Sequence, residues 1–536
     1  MNTPITVIQR TQKIKGTEYV YEDFPYWDSE KKQTRHKRVY IGKKDENGRF
    51  IPNKRYLARS PSSGEPEPAV PGKPAERRFA GVSYLLDQIA ARSMMADDLR
   101  ACFPKDHKII QSLAYYLVCE NETPMYRFNH WARTHGHPHG REVASQRISE
   151  VFARINYDGI MRFLSRQRKR YEETEHLVYD TTSISSYSEL LRQVRYGNNK
   201  SGDPLPQLNL ALVFGQSSMM PVYYRSLPGN LTDVITLRKL LQDLNQIEMG
   251  KIKLVLDRGF YSARNIDALY KHRCKFVVGA RRNTRFIKGH LVENRPALTD
   301  YTSYDVKLGL HYHSVTSHWP YKDYDHEGRV VGQRQRRVYV HMYYNSAKAE
   351  ADKTAFFTKL ATARQAVLQG GCSEQQQALV DTYLQVHTTP VRGTKITSND
   401  EAIRQHTAEF GYFVLLSNDI KDPAQALWVY RNKDVVEKAF GNLKNRLNMR
   451  RAHVSSEESL QGKVFVQFVA LILVSWIHKV MKEKKLYQNR TMQQLLDELD
   501  CIERYQQEGR RTNYGEVTGK QRALYEHFGI TPPDML

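Results

Sequence analysis

Two short apolar runs in this chain each close on an aspartate, and few folds accommodate that pattern. His176-Leu177-Val178-Tyr179 leads into Asp180, and Ile252-Lys253-Leu254-Val255-Leu256 leads into Asp257. Runs of this length and composition read as strands, so each carboxylate is expected where its strand ends. Between them, apolar stretches at 208–214 and 220–224 flank Gly215-Gln216-Ser217-Ser218 and read as an antiparallel hairpin. A helix is predicted from about 233 to 247 and another over 263–271, with a fifth strand at Lys275-Phe276-Val277-Val278-Gly279. The order is β-β-β-α-β-α-β, an α/β arrangement.

A third acid, Glu437, lies in a segment from Tyr430 to Lys444 that reads as one helix. At about 100° per residue, Tyr430, Lys433, Glu437 and Lys444 share an arc of about 60°. Val436, Phe440, Leu443 and Leu447 form an apolar stripe beside it. One helix can then bury a stripe against a sheet and hold an acid flanked by cations at the rim. A charged surface helix with intrahelical ion pairs is the competing reading. Two carboxylates at strand ends and a third on a helix can converge on two Mg²⁺ ions, with Mn²⁺ able to substitute. Such ions activate water and stabilise the leaving oxygen of a phosphodiester.

The charge balance points to the substrate. The 536 residues include 81 Lys and Arg against 58 Asp and Glu, a formal net charge of +23. A polyanion, double-stranded DNA, is the natural partner, although a solvated basic surface gives the same count. Cys102, Cys119, Cys274, Cys372 and Cys501 stand apart with no C-x-x-C pair, which indicates neither a zinc site nor a disulfide framework. His135, His137 and His139 alternate in a Gly- and Pro-containing loop without a Cys or acidic partner, and read as a solvated or phosphate-contacting loop. The polar N-terminus is no signal peptide. The most apolar run, 464–477, is too short for a membrane span and suits a buried core helix. A cytoplasmic, nucleoid-associated protein without a membrane partner is expected.

The acid-bearing helix resembles the Y-x2-R-x3-E-x6-K signature of the DDE transposases of bacterial-type insertion sequences, in the superfamily called insertion-sequence family four. Tyr430, Glu437 and Lys444 match at that spacing, and Lys433 stands where the signature has arginine. Charge is kept there, but the planar fork that grips phosphate is lost. Tyr179-Asp180-Thr181-Thr182-Ser183 is similar to the first-aspartate motif, Leu227-Pro228-Gly229-Asn230-Leu231-Thr232-Asp233 to the P-G-N-x-x-D turn, and Asp257-Arg258-Gly259-Phe260 to the second-aspartate motif. The resemblance implies a ribonuclease-H-like catalytic core carrying a β-rich insertion. It also implies metal-dependent cleavage at transposon ends followed by strand transfer into target DNA. Asp180, Asp257 and Glu437 would be catalytic and metal-ligating, and Tyr430, Lys433, Lys444 and Arg258 would contact DNA. A homodimer would hold the terminal repeats and the target. A metal-dependent nuclease without strand transfer, or a DNA-binding remnant without catalysis, would share many of these features.

Composition shifts suggest the domains. Residues 1–58 read as a small β-rich module, with Asp45-Glu46-Asn47-Gly48 as a hairpin turn. Residues 59–78, rich in Ser, Pro and Gly, read as a linker. Residues 79–170 read as a helical region carrying many arginines, a candidate for binding transposon ends or, on its charge pattern alone, a packing domain with a basic face. The core is expected at 171–285 and 410–480, an insertion domain at 286–409, and a helical C-terminal region with a possible dimerisation role at 481–536.

Overall fold

The computed structural model describes residues 8–14, 16–28, 33–57, 76–121, 123–170, 175–200, 202–246, 252–389, 393–507 and 512–535. The chain divides into two compact units, residues 1–75 and 76–536. The expected linker lies mostly outside the described residues, and its last three positions belong to a strand of the second unit.

The first unit is an antiparallel sheet in the order β1 (Ile8–Ile14), β2 (Thr17–Asp28), β3 (Gln33–Lys44) and β4 (Phe50–Pro52). The β3–β4 turn falls on the expected residues. Asp45 Oδ1 accepts from the amides of Asn47 and Arg49, and Gly48 takes a positive φ of 73°. Asp23 is buried beneath Arg10 and His36, whose nitrogens stand 3.0 and 3.2 Å from its Oδ2.

The second unit opens on β5 (Glu76–Phe79) and six helices between Gly81 and Arg168, one of them the short Phe128–Thr134. The strands that follow are β6 (His176–Ser185), β7 (Gln207–Gly215), β8 (Pro221–Pro228), β9 (Lys253–Leu256), β10 (Lys275–Ala280), β11 (Tyr304–Asp305), β12 (Leu310–Tyr324) and β13 (Val330–Tyr344). After them come the hairpin β14 (Leu384–Thr389) and β15 (Gly393–Ser398), then β16 (Tyr412–Ser417), β17 (Glu503–Gln506) and β18 (Asn513–Tyr514). Among the described residues the main sheet has nine strands, in the order β11-β12-β13-β16-β10-β9-β6-β7-β8. The β6-β7-β8 meander is antiparallel. Strands β6, β9 and β10 run parallel, with the helix Ala263–Lys271 as the β9–β10 crossover. That helix starts where Ser262 caps the Asn265 amide.

Strands of the segment read as an insertion domain, 286–409, pair into the core sheet. β13 and β10 flank β16 on either side, both antiparallel to it, so the inserted strands prolong the core sheet. The helical part of the insertion carries its own small core around Phe356, Leu360, Ala363, Val380 and Leu384.

The helices before Arg168 belong to the same unit as the sheet. They share one hydrophobic core with the sheet, built around the helix Glu457–Glu483. The Phe465 ring meets Phe103 and Phe163 at 5.0 and 5.2 Å, and Phe468 meets Tyr224 of β8 at 4.8 Å. This helix is 27 residues long, well beyond the run at 464–477. It is the one helix among the described residues long and apolar enough to cross a membrane, and most of it is enclosed by the protein. A helix apolar on every side needs such surroundings. The C-terminal region also docks here. β17 pairs with β5 and β18, and the Tyr525 hydroxyl donates to the Gly81 carbonyl at 2.9 Å.

Candidate active site

Asp180 and Asp257 meet at the end of the parallel β6–β9 ladder. Its last paired residues are Tyr179 and Leu256, so the next residue on each strand is an aspartate. Asp180 is not at the end of its own strand, as the sequence suggested. β6 runs on to Ser185 because β7 continues to pair with it, Asp180 facing Leu212. It is β9 that stops, leaving one side of β6 open beside Asp257.

The segment from Tyr430 to Lys444 is not one helix. It is a helix Pro423–Arg431, a turn at 432–433, a helix Asp434–Gly441, and a π-helical turn Asn442–Arg446. The first helix packs over β9, β10, β13 and β16, and the second over β6 and β7. A twisted sheet presents those strands at different angles, and the break lets each helix lie flat on its own part. Asp422 caps the first helix and Pro423 takes its first turn. Asp434 and Glu437 occupy the first turn of the second, where the helix dipole favours acids. The shared arc survives the break. The Tyr430 hydroxyl donates to Asp257 Oδ1 at 2.7 Å, and Lys433 Nζ lies 3.3 Å from that oxygen and 3.2 Å from Glu437 Oε1. Gly279 of β10 makes room for this contact, since a Cβ there would fall 2.6 Å from the Tyr430 hydroxyl.

The electrostatics follow from the packing. Burial pushes the Asp180 carboxyl up, the Lys200 ammonium pulls it down, and Asp233 and Asp257 push it up again, for a net rise. Burial also pushes Asp257 up, but the Tyr430 hydrogen bond and the Lys433 charge outweigh it and hold the carboxyl below its usual range. Burial disfavours the Lys433 ammonium, yet Asp257 and Glu437 raise its pKa above the ordinary value. Lys444 sits on the π turn, its pKa lowered by burial and by Arg450 and Lys200. Exposed Arg258 follows Asp257 directly and lines a cleft of about 600 Å³ with Arg281, Arg282, Asn283 and Glu409.

Asp180, Asp257, Glu437, Tyr430 and Lys433 are thus brought together, while Lys444 and Arg258 lie on the rim. Lys200, Thr181 and Asp233 also stand at the site and were not among the expected site residues. Lys200 lies in an aperiodic polar stretch that gives no sequence signal, and Asp233 was visible only as the end of the P-G-N-x-x-D turn. His135 stacks on Trp131 at 4.9 Å, and burial lowers the pKa of His137 to about 4. That loop is packed against the protein, not solvated.

Carboxylate oxygens are what hard divalent cations take, and Asp180, Asp257 and Glu437 supply them from three elements. Lysine ammoniums already link Asp257 to Glu437 and Asp180 to Asp233. The donor chemistry of these carboxylates is that of a divalent-ion site, and in this structure lysine ammoniums supply the positive charge between them. Among the described residues no group of three or more His, Cys, Asp or Glu side chains is drawn close enough to hold one.

The sequence profile of the family described as Transposase DDE domain matches residues 171–473. No curated protein matches the chain. Among solved structures the chain is similar to a piggyBac transposase, seen by cryo-EM as a synaptic complex with hairpin DNA. The identity is 12%, the overlap covers 77% of this chain and 70% of that one, and the TM-score is 0.34.

Proposed function

Because the chain belongs to the family of transposase DDE domains, we propose that it cuts DNA at the ends of a mobile element and joins the freed 3′ ends to a target. The Tyr430, Lys433, Glu437 and Lys444 spacing supports a place in the insertion-sequence family four superfamily. The order β8-β7-β6-β9-β10, three strands antiparallel and then two parallel to β6, supports a ribonuclease-H-like core. One observation carries the reading above the others. Asp180 and Asp257 follow directly on paired residues of two parallel strands, and Glu437 faces Asp257 across a single ammonium.

Asp180, Asp257 and Glu437 would hold two Mg²⁺, or Mn²⁺ in their place. When bound, these ions supply Lewis-acid activation of the attacking oxygen and stabilisation of charge on the leaving one. The side chains around them set the geometry. Tyr430 donates to Asp257 Oδ1 and fixes the face that carboxylate turns to the substrate. Lys433, displaced from between the two acids, reaches the phosphate backbone with Lys444 and Arg258. In the first step a water oxygen bonds to phosphorus and the 3′-oxygen leaves. In the second the freed 3′-hydroxyl attacks a phosphodiester of the target and displaces its 3′-oxygen in turn. Inserting the element, with both of its ends joined to one target, needs two ends in one assembly, which a homodimer provides.

We assign residues 1–58 and 79–170 to holding DNA ends and 286–409 to covering the substrate, in a cytoplasmic, nucleoid-associated protein. Incubation with Mg²⁺ and DNA carrying the element's own ends tests the reading, with the joined products sequenced. Cut ends joined to new DNA support it. Cut ends alone mark a nuclease, and bound but intact DNA marks a protein that does not catalyse.

A further inference from the structure

Asp233, the last residue of the P-G-N-x-x-D turn, has no part in the chemistry above, yet its side chain sits beside Asp180. It begins the helix Asp233–Gln246. Its Oδ1 accepts from the Thr181 hydroxyl at 2.6 Å, and its Oδ2 lies 3.1 Å from Lys200 Nζ. Lys200 Nζ also donates to the Thr181 carbonyl at 3.0 Å and to its hydroxyl oxygen at 2.7 Å, and stands 3.6 Å from Asp180 Oδ1. An ammonium has three protons. Two are engaged by Thr181, and of the two carboxylates within reach of the third, Asp233 is the nearer.

The turn is built to deliver that carboxylate. Gln207 and Asn209 donate to the Gly229 carbonyl at 3.2 and 3.3 Å, and Asn209 donates again to Leu231 at 3.0 Å. A Cβ at Gly229 would lie 1.9 Å from the Gln207 carbonyl oxygen, so only glycine allows so close an approach.

A cation beside a metal-ligating carboxylate competes for it. We propose that Asp233 is a positioning residue that takes the larger share of the Lys200 ammonium, keeps its ion pair with Asp180 at the longer 3.6 Å, and so leaves the Asp180 carboxylate less committed to Lys200 and available to a divalent ion. This rests on the reading of Asp180 as a metal ligand. Without Asp233, Asp180 becomes the nearest acid to Lys200, and their existing 3.6 Å ion pair tightens and opposes metal binding.

The test titrates Mn²⁺ into the full chain without DNA and follows free Mn²⁺ by electron paramagnetic resonance, with melting curves for each variant. Asp180→Asn is the control, and if it binds Mn²⁺ as the unaltered protein does, the site reading itself fails. With that control lost, Asp233→Asn should weaken binding by roughly 10–100-fold, the scale for a group that supports a metal ligand. Lys200→Met should bind at least as tightly as the unaltered protein, and adding it to Asp233→Asn should restore affinity. Unchanged affinity in Asp233→Asn overturns the proposal. So does a double variant as weak as Asp233→Asn, which would make Asp233 act without Lys200. Weakened binding in Lys200→Met alone overturns it too, since Lys200 would then support Asp180 instead of competing for it.

Discussion

At the scale of single residues the three acids should behave alike and the cations should not. Asp180→Asn, Asp257→Asn and Glu437→Gln each remove a ligating charge with little change of shape. We expect each to abolish cleavage while DNA binding, measured by fluorescence anisotropy, stays close to the starting value. Robust cleavage by any one removes that residue from the site. Lys433 has two partners in the protein and, in our reading, a third in DNA. Its ion pairs involve partly exposed carboxylates and contribute at most about 1 kcal/mol to stability. Lys433→Ala should therefore melt almost normally and lose on the order of 1–3 kcal/mol in the DNA complex. Lys433→Arg should be tolerated or improve strand transfer, since its fork makes two parallel bonds to phosphate. Lost melting stability with unchanged DNA affinity would make Lys433 a structural residue and pass the phosphate role to Arg431 or Lys444. The arc shared by Tyr430, Lys433 and Glu437 was legible because side-chain spacing along a helix is local. That Tyr430 donates to Asp257 was not, since the two are distant in sequence.

Elements carry the next set of outcomes. β10 passes so close to Tyr430 that Gly279→Ala forces the hydroxyl aside. An overpacking cost of about 1–3 kcal/mol is expected in denaturant unfolding, together with slower cleavage as Asp257 loses its donor. Tyr430→Phe in the same chain removes the colliding atom and should recover most of the stability but not the activity. On β13, His341 is buried with Nε2 at 3.0 Å from the Ile420 carbonyl oxygen, and burial lowers its pKa to about 4. The unfolded chain, with a His pKa of about 6.5, binds the proton first. Stability from this group is therefore intact above pH 6.5 and falls as pH drops toward 4, by roughly 3 kcal/mol in all. Unfolding free energies across that range should slope less in His341→Gln, and equal slopes would dismiss the effect. The helix expected from Tyr430 to Lys444 shows how far a pattern reaches at this scale. Its apolar stripe gave the buried face of Val436, Phe440 and Leu443, but nothing local marks the break at 432–433, which follows from the sheet beneath.

For the whole molecule, truncation separates the two units. Deleting residues 1–75 should leave an intact melting transition, because residues 76–536 hold their own core. Deleting 1–170 should abolish it, because the Glu457–Glu483 helix would lose the helices that bury Phe465. A cooperative transition in the longer deletion would show that the N-terminal helices are dispensable to the core. The sequence by itself determined which segments are strands and helices around the two aspartates, the order of the first five core strands, the basic charge, and the motifs at Asp180, Asp233, Asp257 and Glu437. The elements and the charge are properties of composition and short-range periodicity, set by the backbone repeat of each element, and the motifs were read by resemblance to a known family. Only the tertiary structure decided that the strands after residue 303 prolong one sheet and that the helices before Arg168 share its core. It alone placed Lys200 between Asp180 and Asp233 and Lys433 between Asp257 and Glu437. Lys433 and Glu437 are four residues apart, but the contacts of Lys433 with Asp257 and of Lys200 with Asp180 and Asp233 join distant parts of the chain, and their geometry is fixed by sheet register and by packing against a helix buried on all sides. No local pattern encodes either.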